Sequence, residues 1–311
     1  MTNNISGIHH ITAIADDAQR NFDFYTRVLG LRMVKRTVNF DDPGTYHFYY
    51  GNETGTPGTI LTFFPYEGAI KGHAGTGMAT EIGYSVTADS LEFWAERFRR
   101  LHVPHGEIAV RMGETYLPFE DPDGLKIALI ASKYPDDRKP WATDEVAAET
   151  ATKGFHSVTL TLGNVEPTAA ILTDVFGYRL EGQDGNRYRY HTDVIPTASI
   201  VDLVAAPHLT RGVGGAGTNH HVAFRVANEE VQMAFREKIV KRGLHITPKI
   251  NRDYFFSLYF REPGGVLFEL ATDNPGFTVD EPLDQLGTHL QLPAQYEPMR
   301  ASIEQSLPAL H

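Results

Sequence analysis

Apolar positions along the chain follow two spacings. Dense runs of Ile, Val, Leu and Phe over Ile8–Ile14, Glu81–Val86, Phe155–Leu162 and His220–Val226 predict strands, although they alternate less cleanly than half-exposed strands do. A helical spacing follows each run. Phe22, Tyr25 and Leu29 share one face of the first helix, and Leu91, Trp94, Phe98 and Leu101 stripe the second behind Ser90 as its expected N-cap. Pro167 suits the first turn of the third, which ends at Gly177. In the fourth, Val231, Phe235 and Ile239 run up to Gly243. Three further strands joined by Gly-rich turns complete each unit.

These units repeat. At a constant offset of 147, Gly7, His9, Thr12, Thr26, Val28, Gly30 and Arg32 fall on Gly154, His156, Thr159, Thr173, Val175, Gly177 and Arg179. A weaker repeat relates Tyr84-Ser85-Val86 to Phe224-Arg225-Val226, and Asp121-Pro122-Asp123-Gly124 to Glu262-Pro263-Gly264-Gly265. The expected fold class is therefore α+β: four βαβββ modules forming two curved mixed-sheet domains, with helices outside and a cleft inside. Residues 1–135 are read as an N-terminal pair of modules and 154–275 as a C-terminal pair. Between them 136–153 is a linker, inside a run from Lys133 to Thr152 rich in charge, Pro and Ala, and 276–311 is a C-terminal arm on the surface.

Composition narrows the chemistry. With 28 Lys+Arg against 39 Asp+Glu the net charge is −11, which argues against a nucleic-acid or anionic-membrane partner. The absence of cysteine removes disulfides, thiolate metal sites and a cysteine nucleophile, and leaves 14 His and the carboxylates for metal chemistry. The N-terminal stretch has neither a basic nor an apolar targeting segment, and no apolar run approaches the ~18 residues of a membrane span. The expectation is a cytoplasmic protein, with homo-oligomerisation left open.

Two of the strand runs open with His pairs, His9-His10 and His220-His221, at equivalent repeat positions. Adjacent strand side chains face opposite ways, so one member of each pair is expected to face the cleft. Glu269 lies among apolar neighbours in Val266-Leu267-Phe268-Glu269-Leu270, where a carboxylate is costly unless something positive meets it. The equivalent strand of the second unit has Ala128 there, so the fold does not demand the acid. Two His and one carboxylate make a facial triad of the kind used by non-haem Fe(II) oxygenases, and Mn(II), Zn(II) or Ni(II) can occupy such a site. The phase is open at this point. If the second His of each pair is the ligand, Ser157 shows that the third unit has lost its own, and the site is His10, His221 and Glu269. If the first is, His9, His156 and His220 all qualify, and Asp202 could add a carboxylate beside His156.

Taken together, Ile8-His9-His10-Ile11-Thr12, Asn219-His220-His221-Val222-Ala223-Phe224, Asn251-Arg252-Asp253-Tyr254-Phe255 with Tyr259, and the stretch from Arg261 to Glu269 resemble the vicinal oxygen chelate (glyoxalase and extradiol dioxygenase) superfamily. Within it the chain resembles the hydroquinone and chlorohydroquinone ring-cleaving dioxygenases, from about residue 5 to about residue 290. That resemblance implies Fe(II) held by His10, His221 and Glu269, with His9, Thr12, His220, Arg252 and Tyr259 around it. It implies a small aromatic substrate and O2, with His220 as the acid-base group and Arg252 and Tyr259 binding anionic oxygen. The competing expectations are a catechol-type extradiol dioxygenase, a glyoxalase-like metal-dependent lyase or isomerase, and a non-catalytic small-molecule binder.

Overall fold

The computed structural model describes residues 4–311; Met1–Asn3, the start of the stretch read above for targeting signals, lie outside the described residues. The first unit comprises β1 (Ile8–Ala15), α1 (Ala18–Asp23), β2 (Arg32–Asn39), β3 (Asp42–Gly51) and β4 (Ile60–Pro65). The second comprises β5 (Met78–Val86), α2 (Leu91–Arg100), β6 (Ala109–Arg111), β7 (Glu114–Glu120) and β8 (Lys126–Ala131). The third is β9 (Phe155–Leu162), α3 (Glu166–Ala170), β10 (Arg179–Asp184), β11 (Arg187–His191) and β12 (Ile200–Ala205). The fourth is β13 (Thr218–Val226), α4 (Glu229–Lys241), β14 (Ile250–Asn251), β15 (Phe255–Arg261) and β16 (Leu267–Pro275).

Sixteen strands form two eight-stranded mixed sheets, in the orders β14-β15-β16-β13-β1-β4-β3-β2 and β10-β11-β12-β9-β5-β8-β7-β6. The first sheet joins units one and four and the second joins units two and three, so each sheet takes one unit from each sequence half. The central strands meet antiparallel, β1 with β13 and β5 with β9, and each runs parallel to the last strand of its own unit. Every residue of β9 is buried, as are all but Ile14 of β1. Strands covered on both faces have no polar side to show, which explains their poor alternation.

Local chemistry sets the helix ends. Asp17 accepts the Arg20 N–H at 2.7 Å to cap α1, and Asn228 accepts the Val231 N–H at 3.0 Å to cap α4. Two expectations need correction. Ser90 holds the N-cap position of α2 but its side chain does not cap it: it closes a 3-10 turn, its backbone is helical, and its hydroxyl donates to the Thr87 carbonyl at 2.7 Å. Leu101 lies beyond the last turn of α2 and is 38% exposed, so it is not part of the buried stripe. The first and third helices each pass into a π-helical turn, Phe24–Val28 and Ile171–Val175, so the repeat extends to an irregular feature.

The C-terminal arm is partly sunk into unit one. Lys35 of β2, with no exposed surface, is neutralised by Asp280 and Glu281 at 2.5 Å each, and Phe277, Leu286, Ile303 and Leu307 are buried. The last two flank the end of α5 (Arg300–Ser306). The arm thereby shields edge strand β2, with Leu290 bridging to Arg36. Among the described residues no helix is long and apolar enough to cross a membrane.

Candidate metal centre and cavity

Each central strand slips register by one residue just before the position facing its sheet's concave side. On β1, Ile8 pairs with Phe224 and His10 with Ala223, leaving His9 as the extra residue; on β13 the pairs Thr12–His221 and Ala13–Asn219 leave His220. The same irregularity isolates Thr80 on β5 and His156 on β9. In both His pairs the first member is thus the bulged residue and the second faces inward. Because of the bulge the pair members are not on opposite faces: their Nδ1 atoms approach to 2.9 Å in His9–His10 and 2.8 Å in His220–His221.

The inward residues converge. His221 Nε2 lies 2.9 Å and His10 Nε2 3.1 Å from Glu269 Oε2, and the two nitrogens are 3.3 Å apart. Three ligands about 2.1 Å from one ion and at right angles would show edges of about 3.0 Å, so the donor set fits a metal held on one face. Burial alone would raise the pKa of Glu269, but His10 and His221 hold its carboxyl well below the usual range. Its Oε1 accepts the Ser257 hydroxyl at 2.5 Å, whereas Oε2 is buried without a hydrogen bond, because neither ring directs a hydrogen at it. A carboxylate oxygen left bare between two ring nitrogens is what a cation would satisfy.

His9 makes the ligand atom of His10 available. Its Nε2 lies 3.1 Å from the Thr272 carbonyl, which only accepts, so Nε2 carries the hydrogen. Burial, then His10, hold His9 well below its usual protonation range, so its Nδ1 is bare and receives the His10 Nδ1–H. His10 Nε2 is left free to coordinate, the orienting arrangement typical of ligating imidazoles.

In front of this face is a cavity of about 240 Å³. That equals the share of liquid volume taken by about eight waters, room for one substituted ring. Phe40, Tyr49, Phe64, Phe255 and Tyr259 wall it, His220 and His47 line it, and Arg252 sits at its rim, held by Asp41 at 3.1 Å. Burial, then Glu269, push the Tyr259 phenol up, so it remains a donor. Partial desolvation within the cavity, then His221, lower His220 to about 4, although its ring keeps an exposed edge. A smaller cavity beside Arg211 and Arg261 adjoins the other side of His220.

Thus His9, His10, Thr12, His220, His221, Arg252, Tyr259 and Glu269 lie in or around one centre, with Thr12 Oγ1 2.9 Å from His221 Nε2. His156 lies elsewhere. Register places Ser157, Glu81 and Ala128 of the second sheet where the first has His10, His221 and Glu269. There Glu81 pairs with Arg111 at 2.6 Å, and His156 bonds Glu114 at 2.9 Å. Asp202 does not meet His156: it is buried against Arg189 at 2.8 Å and Arg187 at 3.0 Å. Ser257, His47 and Thr62 were missed by sequence reasoning. Ser257 had one weak signal, a lone hydroxyl among Phe255, Phe256 and Leu258.

The repeated βαβββ unit is paired across the chain into two sheets, one of which carries the His, His, Glu face. The chain belongs to the glyoxalase/bleomycin resistance protein/dioxygenase superfamily, whose model matches it over residues 7–129 and 154–270. It is 44% identical over 309 residues to the "Putative ring-cleaving dioxygenase MhqO" of Bacillus subtilis (strain 168), covering 99% of this chain and 97% of that one. It is 35% identical over 299 residues to the chlorohydroquinone/hydroquinone 1,2-dioxygenase of Sphingobium indicum, covering 94% and 93%. A crystal structure of a "putative dioxygenase" from Bacillus subtilis subsp. subtilis str. 168 superposes with a TM-score of 0.95 at 43% identity, covering 100% and 99%.

Proposed function

We propose that this chain is an Fe(II)-dependent dioxygenase of the cytoplasm that opens a hydroquinone-type ring with O2. The bond between a hydroxyl-bearing carbon and its neighbour breaks, both oxygen atoms enter the product, and the two carbons leave as an acid or acyl group and an aldehyde. The observation that carries this reading is the His10, His221 and Glu269 triangle on the floor of an aromatic-walled cavity the size of one ring.

Bound iron would hold the ionised substrate hydroxyl and O2 side by side and pass electrons between them. The chain supplies the rest. Phe64, Phe255 and Tyr259 flank a flat ring and exclude water from it. With His221 Nε2 committed to the metal, its Nδ1–H donates to His220 Nδ1, which leaves the one hydrogen of neutral His220 on Nε2. His220 therefore faces substrate as a hydrogen donor, the acid half of the role expected for it, and takes a proton only after that hydrogen has left. Arg252 and the un-ionised Tyr259 present further donors to anionic oxygen from the cavity wall, supporting the binding role expected of them.

The test is oxygen uptake by anaerobically Fe(II)-loaded protein with hydroquinones, catechols and the methylglyoxal–glutathione adduct. The expected result is one O2 consumed per hydroquinone, with loss of aromatic absorbance. Isomerisation of the glutathione adduct without O2 would assign lyase chemistry, preference for catechols would move the reading to the catechol branch, and full metal loading with no turnover of any substrate would leave a binder.

A further inference from the structure

A second line of polar atoms leads to the same centre from the cavity wall, where Tyr49 and His47 stand, inward to two fully buried threonines. Tyr49 Oη lies 2.9 Å from His47 Nδ1, His47 Nε2 lies 2.9 Å from Thr62 Oγ1, Thr62 Oγ1 lies 2.8 Å from Thr12 Oγ1, and Thr12 Oγ1 lies 2.9 Å from His221 Nε2. The residues come from three neighbouring strands, β3, β4 and β1, whose register sets Tyr49 opposite Thr62 and Thr62 beside Thr12. Neither threonine has any exposed surface.

We propose that Tyr49, His47, Thr62 and Thr12 form a one-way hydrogen-bond chain that keeps the Thr12 hydroxyl hydrogen aimed at the ligand space before His10, His221 and Glu269, with His47 as the positioning residue that sets its direction. The direction follows from counting hydrogens. Tyr49 is 1% exposed and, among the described residues, its hydroxyl has one partner, His47 Nδ1, so the arrangement that satisfies both groups without help from the cavity has Tyr49 donating. Burial keeps His47 neutral, so with Nδ1 accepting, its single hydrogen is on Nε2 and goes to Thr62. Thr62 then passes its own hydrogen to Thr12, and Thr12 passes its own toward His221 Nε2. Once that nitrogen's lone pair is committed to a metal, the Thr12 hydrogen has no other acceptor among the described residues. It is offered to whatever occupies the space in front, which favours an anionic oxygen there and disfavours a ligand that can only donate. Each bond polarises the next in the same sense.

The second sheet shows that the fold does not require these residues. By register, Thr159, Asp202, Arg189 and Arg187 stand there in place of Thr12, Thr62, Tyr49 and His47, joined by ion pairs and an Arg187–Thr159 bond at 2.9 Å. The hydroxyl and imidazole version occurs only in the sheet that has the ligand face. The inference rests on the proposed dioxygenase reading only for its kinetic consequence.

The test has three arms. In metal-free protein labelled with 15N-histidine, long-range proton–nitrogen correlation at pH 7 should show His47 with hydrogen on Nε2 and a bare Nδ1, and Tyr49→Phe should mix the tautomers; hydrogen on Nδ1 overturns the direction. In Fe(II)-loaded protein exposed to nitric oxide, the paramagnetic spectrum should shift equally in Thr62→Val and His47→Ala at unchanged iron content, with His47→Gln closer to the parent; parent-like spectra in both Thr62→Val and His47→Ala overturn the chain. In turnover, Thr62→Val should lower kcat/KM for O2 by about 10-fold or more, as for loss of one oriented donor, while kcat/KM for hydroquinone changes less. His47→Ala added to Thr62→Val should cost nothing further, and multiplied effects overturn the chain. If the first two arms come out as expected while no aromatic consumes O2, the function proposal fails and the chain stands.

Discussion

Replacing Ser257 by Ala deletes the hydroxyl that holds one oxygen of Glu269 while the other faces the metal position. Both residues have no exposed surface and the Oγ–Oε1 distance is 2.5 Å, so bulk solvent does not reach the carboxylate to replace the lost donor. Two effects oppose each other. A carboxylate relieved of a donor is a slightly stronger metal ligand, but it also loses the contact that fixes which oxygen points inward. A hydrogen bond to a charged group is worth about 1.5–3 kcal/mol, and partners of this kind typically change metal affinity about 10- to 100-fold, so loss of orientation should dominate. The measurement is titration of metal-free parent and Ser257→Ala with Mn(II) against a competing chelator, together with thermal unfolding of both in the absence of metal. Affinity should fall about 10- to 100-fold. An affinity within twofold of the parent would show that Glu269 is oriented by the two histidines alone, and that the short contact to Ser257 contributes nothing to the site.

Three other outcomes follow from the same geometry. His10→Ala, His221→Ala and Glu269→Ala should each lose iron by elemental analysis, whereas His156→Ala keeps it, and iron lost from His156→Ala but retained by His10→Ala would move the site. His220→Ala should retain iron yet lower kcat by about 10²- to 10⁴-fold, the usual cost of an acid-base group; a parent rate would make His220 structural. Glu114 is drawn below its ordinary value to about 2, burial being outweighed by His156 and Arg189, so its ionised form stabilises the fold fully above about pH 4.5 and that contribution is lost as pH falls toward 2. Glu114→Gln should then be less stable than the parent by at most about 3 kcal/mol at pH 7, with the gap closing on acidification in denaturant titrations; a gap independent of pH would contradict the linkage.

The repeat made the βαβββ units legible because equivalent positions carry the same turn and strand-opening residues, Gly30 with Gly177 and His9 with His156. It relates unit one to three and two to four, which says nothing direct about which units share a sheet. The open choice between the two members of each His pair had a physical origin: simple alternation cannot anticipate a bulge, and the bulges at His9 and His220 decide which ring faces inward. Ser257, with its one weak signal, and Thr62 and His47, with none, were missed for another reason. Each matters through a neighbour on an adjacent strand, and strand adjacency is a property of register rather than of local sequence. The burial of Lys35 beneath the C-terminal arm was hidden in the same way, since its partners Asp280 and Glu281 are some 245 positions away in the chain.

The exchange of units between sheets also sets the order in which a growing chain can be completed. Strand β5 finds its antiparallel neighbour when Leu162 has been made, but β1 must wait for Val226, with an entire second sheet translated in between. Until then β1 presents a long, apolar, unpaired edge, the kind of surface on which nascent chains associate wrongly. Synthesis therefore closes the inner sheet, from units two and three, before the outer one. The metal face, divided between the first and last units, exists only once the fourth unit is made, with the C-terminal arm alone still to follow.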